Sequence, residues 1–152
     1  MSIGLIASVF LATPAFAQKL DVSNESAYAS SLSTLYSELP SEKKIQFEAF
    51  YYYLLGGGKS LPRPSKLKGL NEMAAMYPLV APAEKKYGVS LNGLNADSII
   101  AIGQKRLSAD IEKKIEAATD EAIKARLKKQ LTIIQGPKMT KDDLETYTGL
   151  QN

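Results

Sequence analysis

The sequence predicts an all-α fold, a small bundle of about four main helices, and three observations support this prediction. Apolar residues recur at spacings of three and four in several segments, as on the buried face of a helix. No segment alternates apolar and polar residues convincingly, and runs of β-branched residues are lacking. Residues that cap helices, such as Ser, Asn and Asp, precede these segments, while Gly and Pro follow them.

Residues 1–17 have the pattern of a secretory signal peptide. The uncharged, largely apolar run at 3–12 is followed by a proline and an Ala-Phe-Ala cleavage pattern ending at Ala17, although no Lys or Arg precedes the run. This run is too short to span about 30 Å of hydrocarbon, which disfavours an uncleaved membrane anchor and leaves a buried N-terminal helix as the alternative. We expect a soluble periplasmic or secreted protein that begins at Gln18, with no integral membrane span after cleavage.

The mature chain, 18–152, is predicted to be a single α-helical domain that opens with a helical hairpin. Capping residues at 21–25 precede a first helix, whose apolar positions run from Tyr28 to Leu39. Pro40 breaks this helix, and the second helix is apolar over much of its circumference and ends at three glycines. The short Leu-Pro-Ser connection favours an antiparallel pair.

The middle of the chain is rich in glycine and proline. Residues 56–68 are predicted to be a basic Gly/Pro linker within the domain, with 60–65 extended because a residue that precedes proline is pushed away from helical angles. Short helical turns are predicted at 70–77 and 82–87, and a tight turn at 91–94.

The C-terminal half is predicted to contain the third helix and the longest helix. Asn95 caps the third helix, and Gly103 marks either its end or a close contact between helices. Ser108 then caps the longest helix, from about 109 to 134, which a Gly-Pro pair ends.

Charged residues cover the outer face of this longest helix, as expected of a face in contact with water. Asp120 and Lys124 are predicted to form an i,i+4 ion pair on it. A last, short helix is predicted after Thr140, because Thr140 and Asp143 have the spacing of a capping box.

The composition excludes several kinds of site. The chain contains no Cys and no His, so it has no thiolate nucleophile, no imidazole base, no disulfide and no zinc site of the usual ligands. Asp142 and Asp143 are adjacent, but no pair of acids is recognisable as lying across a cleft. We therefore predict no catalytic, cofactor-binding or metal-binding residues, and a protein that is not an enzyme.

The positive charge is concentrated in the 56–68 segment. Lys59, Arg63, Lys66 and Lys68 lie there without an acid among them, and the rest of the chain has 15 basic and 16 acidic residues. Nucleic-acid-binding proteins usually have a basic face with aromatic platforms across the fold, so we predict no nucleic-acid binding.

The Gly-Gly-Gly-Lys-Ser sequence at 56–60 is similar to the end of a phosphate-binding loop, but its context is wrong. That motif needs a glycine at the position of Tyr53, a strand before the loop and a helix after it. Here a predicted helix precedes the glycines and a proline follows them, so we predict no nucleotide binding.

A partner surface is predicted where the aromatic end of the second helix meets the basic segment. Its residues are Tyr51, Tyr52, Tyr53, Lys59, Arg63, Lys66 and Lys68. Exposed tyrosines beside apolar residues are common at protein interfaces, whereas the alternative is that neighbouring helices bury these rings. The basic segment is predicted to act either as a stiff spacer or as a contact to anionic lipid or cell-wall polymer.

Three stretches of the chain resemble a family of small bacterial envelope lipoproteins of uncharacterised function. The stretches are Lys19 to Asp21 with the following 23–35, the LPSEKK and Phe-Glu residues at 39–48, and LNGLNADSII at 91–100. The resemblance covers about half of the mature chain and implies a helical envelope protein. Those proteins carry a lipidated Cys where this chain has Ala-Gln, so lipid tethering is not implied.

The predicted function is non-enzymatic: an exported helical protein that binds a macromolecular partner or the cell envelope. One alternative is a periplasmic carrier of a small apolar ligand, with the second and longest helices lining its pocket. The other is an envelope hydrolase that uses two carboxylates. A dry apolar cavity would favour the carrier, and a filled core with an exposed Tyr/Leu patch would favour the interaction protein.

Overall fold

The computed structural model describes residues 18–151, so the predicted signal peptide lies outside the described residues. Within this range the protein is all-α, as predicted, and contains no β-strand. It has seven α-helices there, more than the four or so main helices predicted, because two short helices in the middle of the chain and the short C-terminal helix add to those four. They are α1 Glu25–Ser37, α2 Ser41–Leu55, α3 Leu70–Ala75, α4 Val80–Tyr87, α5 Ala96–Ala117, α6 Glu121–Ile134 and α7 Lys141–Gly149, with 3₁₀ turns at Pro64–Lys66 and Tyr77–Leu79.

Three of the predicted helix starts are confirmed by side-chain caps. Asn24 and Asn95 each accept a hydrogen bond of 2.9 Å from the backbone amide three residues later. Thr140 and Asp143 form a full capping box: the Asp143 amide donates to the Thr140 hydroxyl at 3.0 Å, and the Thr140 amide donates to the Asp143 carboxylate at 2.8 Å. These short-range signals could be identified from sequence because both partners lie within four residues.

The break predicted near Gly103 and Ser108 is wrong, because α5 continues through both residues to Ala117. Gly103 is buried against Phe50 of α2, and a Cβ atom at position 103 would lie 2.7 Å from Phe50 Cδ1. This glycine therefore allows a close contact between two helices, which was the second interpretation of it.

The chain breaks instead at 118–120, and Asp120 begins a new helix. Its carboxylate caps α6 by accepting hydrogen bonds from the amides two and three residues later, at 2.7 and 3.1 Å. The predicted ion pair between Asp120 and Lys124 is wrong, because the Asp120 carboxylate caps α6. The Nζ atom of Lys124 lies 2.9 Å from Oε1 of Glu121 instead.

Helix α2 lies at the centre of the core, with nine buried residues among its fifteen. It packs mainly on α5, which also pairs with α6, while α1 packs on α3. Tyr28 near the start of α1 meets Tyr51 near the end of α2, with 2.5 Å between hydroxyls, and Tyr36 near the end of α1 donates to Glu48 at 3.2 Å. Long side chains thus connect α1 to α2, although the helix that packs most closely on α1 is α3.

The 56–68 segment is packed against the helices as an ordered part of the domain. Leu61 is buried in the core, and the amide of Gly69 just beyond the segment donates to the buried Glu48 carboxylate at 2.7 Å. Gly58 has a positive φ of 68°, and the Tyr87 hydroxyl fills the space that a side chain there would need. The segment is thus held at both ends and in its middle.

The α5–α6 hairpin extends beyond the core. No residue from 112 to 129 is buried, although Ile111 and Gln130 at the two ends of that stretch are. Between residues 18 and 151, no helix combines the length and apolar character that crossing a membrane requires.

Candidate functional site: a basic segment and a neighbouring groove

Two of the three tyrosines predicted to form a partner surface are buried. Tyr51 is 0% exposed and Tyr53 is 2% exposed, whereas Tyr52 is half-buried. Helix α2 contacts α3, α4 and α5, so neighbours cover it on more than one side. The surface prediction is therefore wrong for Tyr51 and Tyr53, and the alternative of packing by neighbouring helices describes them.

Tyr51 belongs to a buried hydrogen-bonded chain. The Tyr28 hydroxyl donates to the Met73 carbonyl at 2.7 Å, which leaves the Tyr51 hydroxyl as the donor to Tyr28. The Tyr51 ring also stacks on Phe47, with 5.3 Å between ring centroids. Burial raises the pKa of Tyr28 to about 12 and that of Tyr51 further, so both hydroxyls stay neutral and hold the core together.

Tyr52 is the member of the three that reaches the surface in part. Burial, and next the Glu48 carboxylate, raise its pKa. The nearby Lys68 backbone lowers the pKa of Tyr52 and so offsets part of this rise. The Tyr52 hydroxyl is enclosed, and no group of the described residues lies in good hydrogen-bond geometry to it. The partial exposure of Tyr52 therefore comes from atoms other than its hydroxyl.

The four basic residues of the segment lie on the surface of the protein. Lys59, Arg63, Lys66 and Lys68 are all exposed. Within residues 18–151 none of the four forms an ion pair. Their charges therefore face solvent on a segment that the core holds in place.

Lys59 and Ser60 also form one wall of a groove that the sequence did not predict. The groove has a volume of about 380 Å³ and lies between α5, α6 and α7, at the base of the projecting hairpin. Its apolar lining comes from spacings of three and four on each helix, which put those residues on one face. The apolar lining residues are Leu107, Ile111, Ile123, Leu127, Tyr147 and Leu150.

The rim of this groove is mostly basic. Lys59, Lys114 and Arg126 line it, and Asp110 is the one acid among the lining residues. Arg126 already interacts with another group of the chain, whereas Lys59 and Lys114 have no ion-pair partner within residues 18–151. An anionic group would thus find two cations without a competing carboxylate partner.

Tyr147 in the groove lining lies near Tyr53, and both rings are buried. Burial, and next Asp110, raise the pKa of Tyr53 to about 12, and burial raises that of Tyr147 to about 12. Arg106 lies over the Tyr87 ring, 4.4 Å from its centroid, and donates to the Tyr87 carbonyl at 2.5 Å. Burial therefore keeps the Tyr53 and Tyr147 hydroxyls neutral, and Arg106 is already engaged by Tyr87.

Two smaller grooves are also present. In one, of about 340 Å³, Arg63 faces Glu145 and the end of α7. In the other, of about 230 Å³, Lys43 and Asp97 pair at 3.3 Å beside the buried Gln46. Each of the three grooves is lined by a single carboxylate, so none of them holds the pair of acids that the hydrolase alternative needs.

Sequence reasoning missed the large groove because it interpreted the charges on the longest helix as a solvated face. Apolar residues at 107 and 111 on α5 and at 123 and 127 on α6 were the available signal. The carrier alternative placed a pocket between the second and longest helices. In the structure α2 is buried, and α5, α6 and α7 line the groove instead.

Comparisons of this chain with protein-family models, with curated proteins and with solved structures returned no match.

Proposed function

We propose that this is an exported, non-enzymatic helical protein that binds an anionic component of the cell envelope through its basic segment. The observation that carries the proposal is the set of four exposed cations at 59–68, none of which has an ion-pair partner within the described residues. Basic clusters near a membrane attract anionic lipid by about 1 kcal/mol for each Lys or Arg.

The way the segment is held supports the proposal. Leu61 is buried and Glu48 binds the Gly69 amide, so the intervening cations project from a fixed backbone. A fixed arrangement loses less conformational entropy on binding than a flexible tail would. The resemblance to envelope lipoproteins points to the same location, and the export prediction remains part of the proposal.

A second candidate is the carrier of a small apolar ligand, and the groove between α5, α6 and α7 favours it. Its volume of about 380 Å³ lies at the lower end of the range typical of small-molecule sites. The groove is open to solvent at the surface. It therefore does not meet the criterion given above for a carrier, which is a dry apolar cavity.

Vesicle binding tests the proposal. The full chain is mixed with vesicles of equal parts phosphatidylglycerol and phosphatidylcholine, or of phosphatidylcholine alone, and bound protein is measured by co-sedimentation. We expect binding to the anionic vesicles at about 0.01 M salt, where the Debye length is about 30 Å, and much weaker binding at about 0.15 M, where it is about 8 Å.

The triple variant R63Q/K66Q/K68Q should lose about 3 kcal/mol of binding free energy, or more than 100-fold in affinity. The matched control K105Q/K128Q/K129Q removes the same charge from exposed positions on α5 and α6. Equal losses in the two variants would show a general effect of net charge and would refute a role for the segment. Absence of binding at low salt would refute the envelope surface itself.

A further inference from the structure

A turn at 91–94 contains an Asn-Gly pair at its centre. The Leu94 amide donates to the Leu91 carbonyl at 3.2 Å, and Gly93 has a positive φ of 77°. Because only glycines have a positive φ between residues 18 and 151, Asn92 does not, and the turn is of type II. Both residues of the pair are exposed, and Asn92 is the one asparagine in the sequence that a glycine follows.

An Asn-Gly pair holds both reactants of a self-modification. The Gly93 nitrogen loses its proton to hydroxide and attacks Cγ of Asn92, and the side-chain nitrogen takes a proton from water and leaves as ammonia. Water then opens the cyclic imide, either at the Cγ carbonyl, which gives aspartate, or at the main-chain carbonyl, which gives isoaspartate. Glycine has no side chain to hinder the ring closure, which makes this asparagine a labile one.

The segment 19–22 holds both reacting groups of the pair. The Gly93 amide donates to the Leu20 carbonyl at 2.7 Å, and the Asn92 Oδ1 accepts from the Val22 amide at 3.0 Å. While these two bonds persist, the Gly93 nitrogen keeps its proton, and the Asn92 side chain is directed toward Val22 instead of toward that nitrogen. The reaction therefore requires the segment to leave the turn.

We propose that Asn92 and Gly93 form a site of self-catalysed deamidation, and that release of the 19–22 segment controls its rate. The reaction needs only water and hydroxide besides the chain itself. This inference goes beyond the proposed function and does not depend on it, since none of these residues belongs to the basic segment or to a groove.

The contacts of the segment set the size of the effect. The two hydrogen bonds to the pair correspond to about a 5- to 150-fold suppression, and burial of Leu20, which is 1% exposed, to about a further 10-fold or more. We therefore expect the folded chain to react at least about 50-fold more slowly than the unfolded chain. The segment lies next to the predicted mature N-terminus, where local opening costs less than global unfolding.

Peptide mass spectrometry of the full chain tests the proposal. The chain is incubated at mildly alkaline pH, either folded or in concentrated guanidinium chloride, and then digested with trypsin. The peptide 87–105 contains Asn92, and conversion to aspartate or isoaspartate adds about 1 Da to it. Asn95 in the same peptide is the internal control, because alanine follows it and its side chain caps α5. Asn92→Gln should remove the mass gain.

A pair of serine substitutions tests control by the segment without disturbing the core. The Asp21 amide donates to Ser31 Oγ on α1 at 2.9 Å, so Ser31→Ala should make release easier and speed the reaction about two- to tenfold. Ser37→Ala removes a comparable hydroxyl, which donates to the Thr34 carbonyl at 2.9 Å away from the segment, and should leave the rate unchanged.

A pair of leucine substitutions separates release of the segment from global unfolding. Leu20→Ala should speed the reaction about 10-fold or more, since Leu20 is the buried anchor of the segment. Leu61→Ala truncates a leucine that is equally buried, at 2% exposed, but lies outside the segment, and it should speed the reaction much less. Circular dichroism verifies that both variants are folded.

Three results would overturn the inference. If the folded chain reacted less than about fivefold more slowly than the unfolded chain, or if the members of either pair of variants had equal rates, the segment would not control the reaction. No conversion in folded Leu20→Ala over about 200 half-lives of the unfolded chain would eliminate the site itself. A mass gain that persisted in Asn92→Gln would assign the modification to another residue.

The two products should differ in their effect on the segment. Isoaspartate adds one methylene to the backbone before Gly93, so the Gly93 amide cannot keep its bond to Leu20, whereas aspartate still offers Val22 an acceptor. We expect faster amide hydrogen exchange at 19–22 in the isoaspartate form and little change in Asn92→Asp, which reproduces the other product. Equal exchange in the two forms would refute the link between the turn and the segment.

Discussion

Replacing Gly103 by alanine tests how closely α5 and α2 approach each other. In an exposed helix interior, Gly→Ala stabilises by about 1 kcal/mol, because glycine has the larger conformational entropy to lose. At this position the added Cβ would lie 2.7 Å from Phe50 Cδ1 and 3.1 Å from Phe50 Cβ, against about 3.5–4.0 Å for an unstrained carbon contact. Phe50 is 0% exposed, so it has no open space into which to move.

Forcing an extra group into a packed core costs about 1–3 kcal/mol, and the fixed position of Phe50 puts this case in the upper half of that range. After the helix-propensity gain is subtracted, we expect Gly103→Ala to lower the free energy of unfolding by about 1–2 kcal/mol. Urea denaturation followed by far-UV circular dichroism measures this, provided that the m-value is unchanged.

Gly149→Ala is the matched control for this substitution. Gly149 is also helical, at the end of α7, and nothing lies within 4 Å of a Cβ atom placed there. The control should leave stability unchanged or raise it by up to about 1 kcal/mol. If Gly103→Ala were as stable as this control, the close packing of α5 on α2 would be refuted.

A double-mutant cycle tests whether the Phe50 ring is the group that clashes with the methyl group added at position 103. Phe50→Leu removes part of the ring and should by itself destabilise the core. Combined with Gly103→Ala it should relieve the contact, so the double variant should be more stable than the sum of the single effects by about 0.5 kcal/mol or more. Additive effects would mean that the ring is not the group that resists the added methyl.

Two further predictions concern a helix start and the buried tyrosines. Asp120→Ala should destabilise the protein by about 0.5–2 kcal/mol by removing the α6 cap, while Asp120→Asn should lose little because Asn also caps. If Asp120→Ala instead left stability unchanged or raised it in urea denaturation, helix would continue through 118–120. Burial raises the pKa of Tyr28, Tyr53 and Tyr147 to about 12, above about 10 in the unfolded chain. The unfolded state therefore releases these protons first, so stability should be complete below pH of about 10 and fall through about 12. Unfolding free energies that stay level across that window would contradict the burial of these hydroxyls.

Much of the helical organisation could be predicted because its signals are short-range. Asn24, Asn95 and the Thr140–Asp143 pair act on amides within three residues, so their roles are visible in the sequence. The predictions that were wrong rested on local sequence patterns that are compatible with two different structures. Gly103 and Ser108 have the pattern of a helix end and a new cap, but Phe50, more than fifty residues earlier, makes Gly103 a contact.

The candidate site was predicted only in part. Lys59, Arg63, Lys66 and Lys68 are exposed as expected, because four cations without nearby acids remain hydrated wherever the segment lies. The large groove was not predicted, since its walls come from Lys59 and from helices that begin up to about eighty residues later. Periodicity shows that Ile123 and Leu127 share a face, but it does not show what that face meets.

The sequence by itself determined the helical class, most helix starts and the position of the basic excess, because these depend on propensities and on partners a few residues apart. Only the tertiary structure decided which faces of each helix are covered. Tyr51, Tyr52 and Tyr53 spread around α2 whatever the fold, and the packing of neighbouring helices buries two of them and half-buries the third. The same packing leaves the α5–α6 hairpin uncovered from 112 to 129, and so opens the groove.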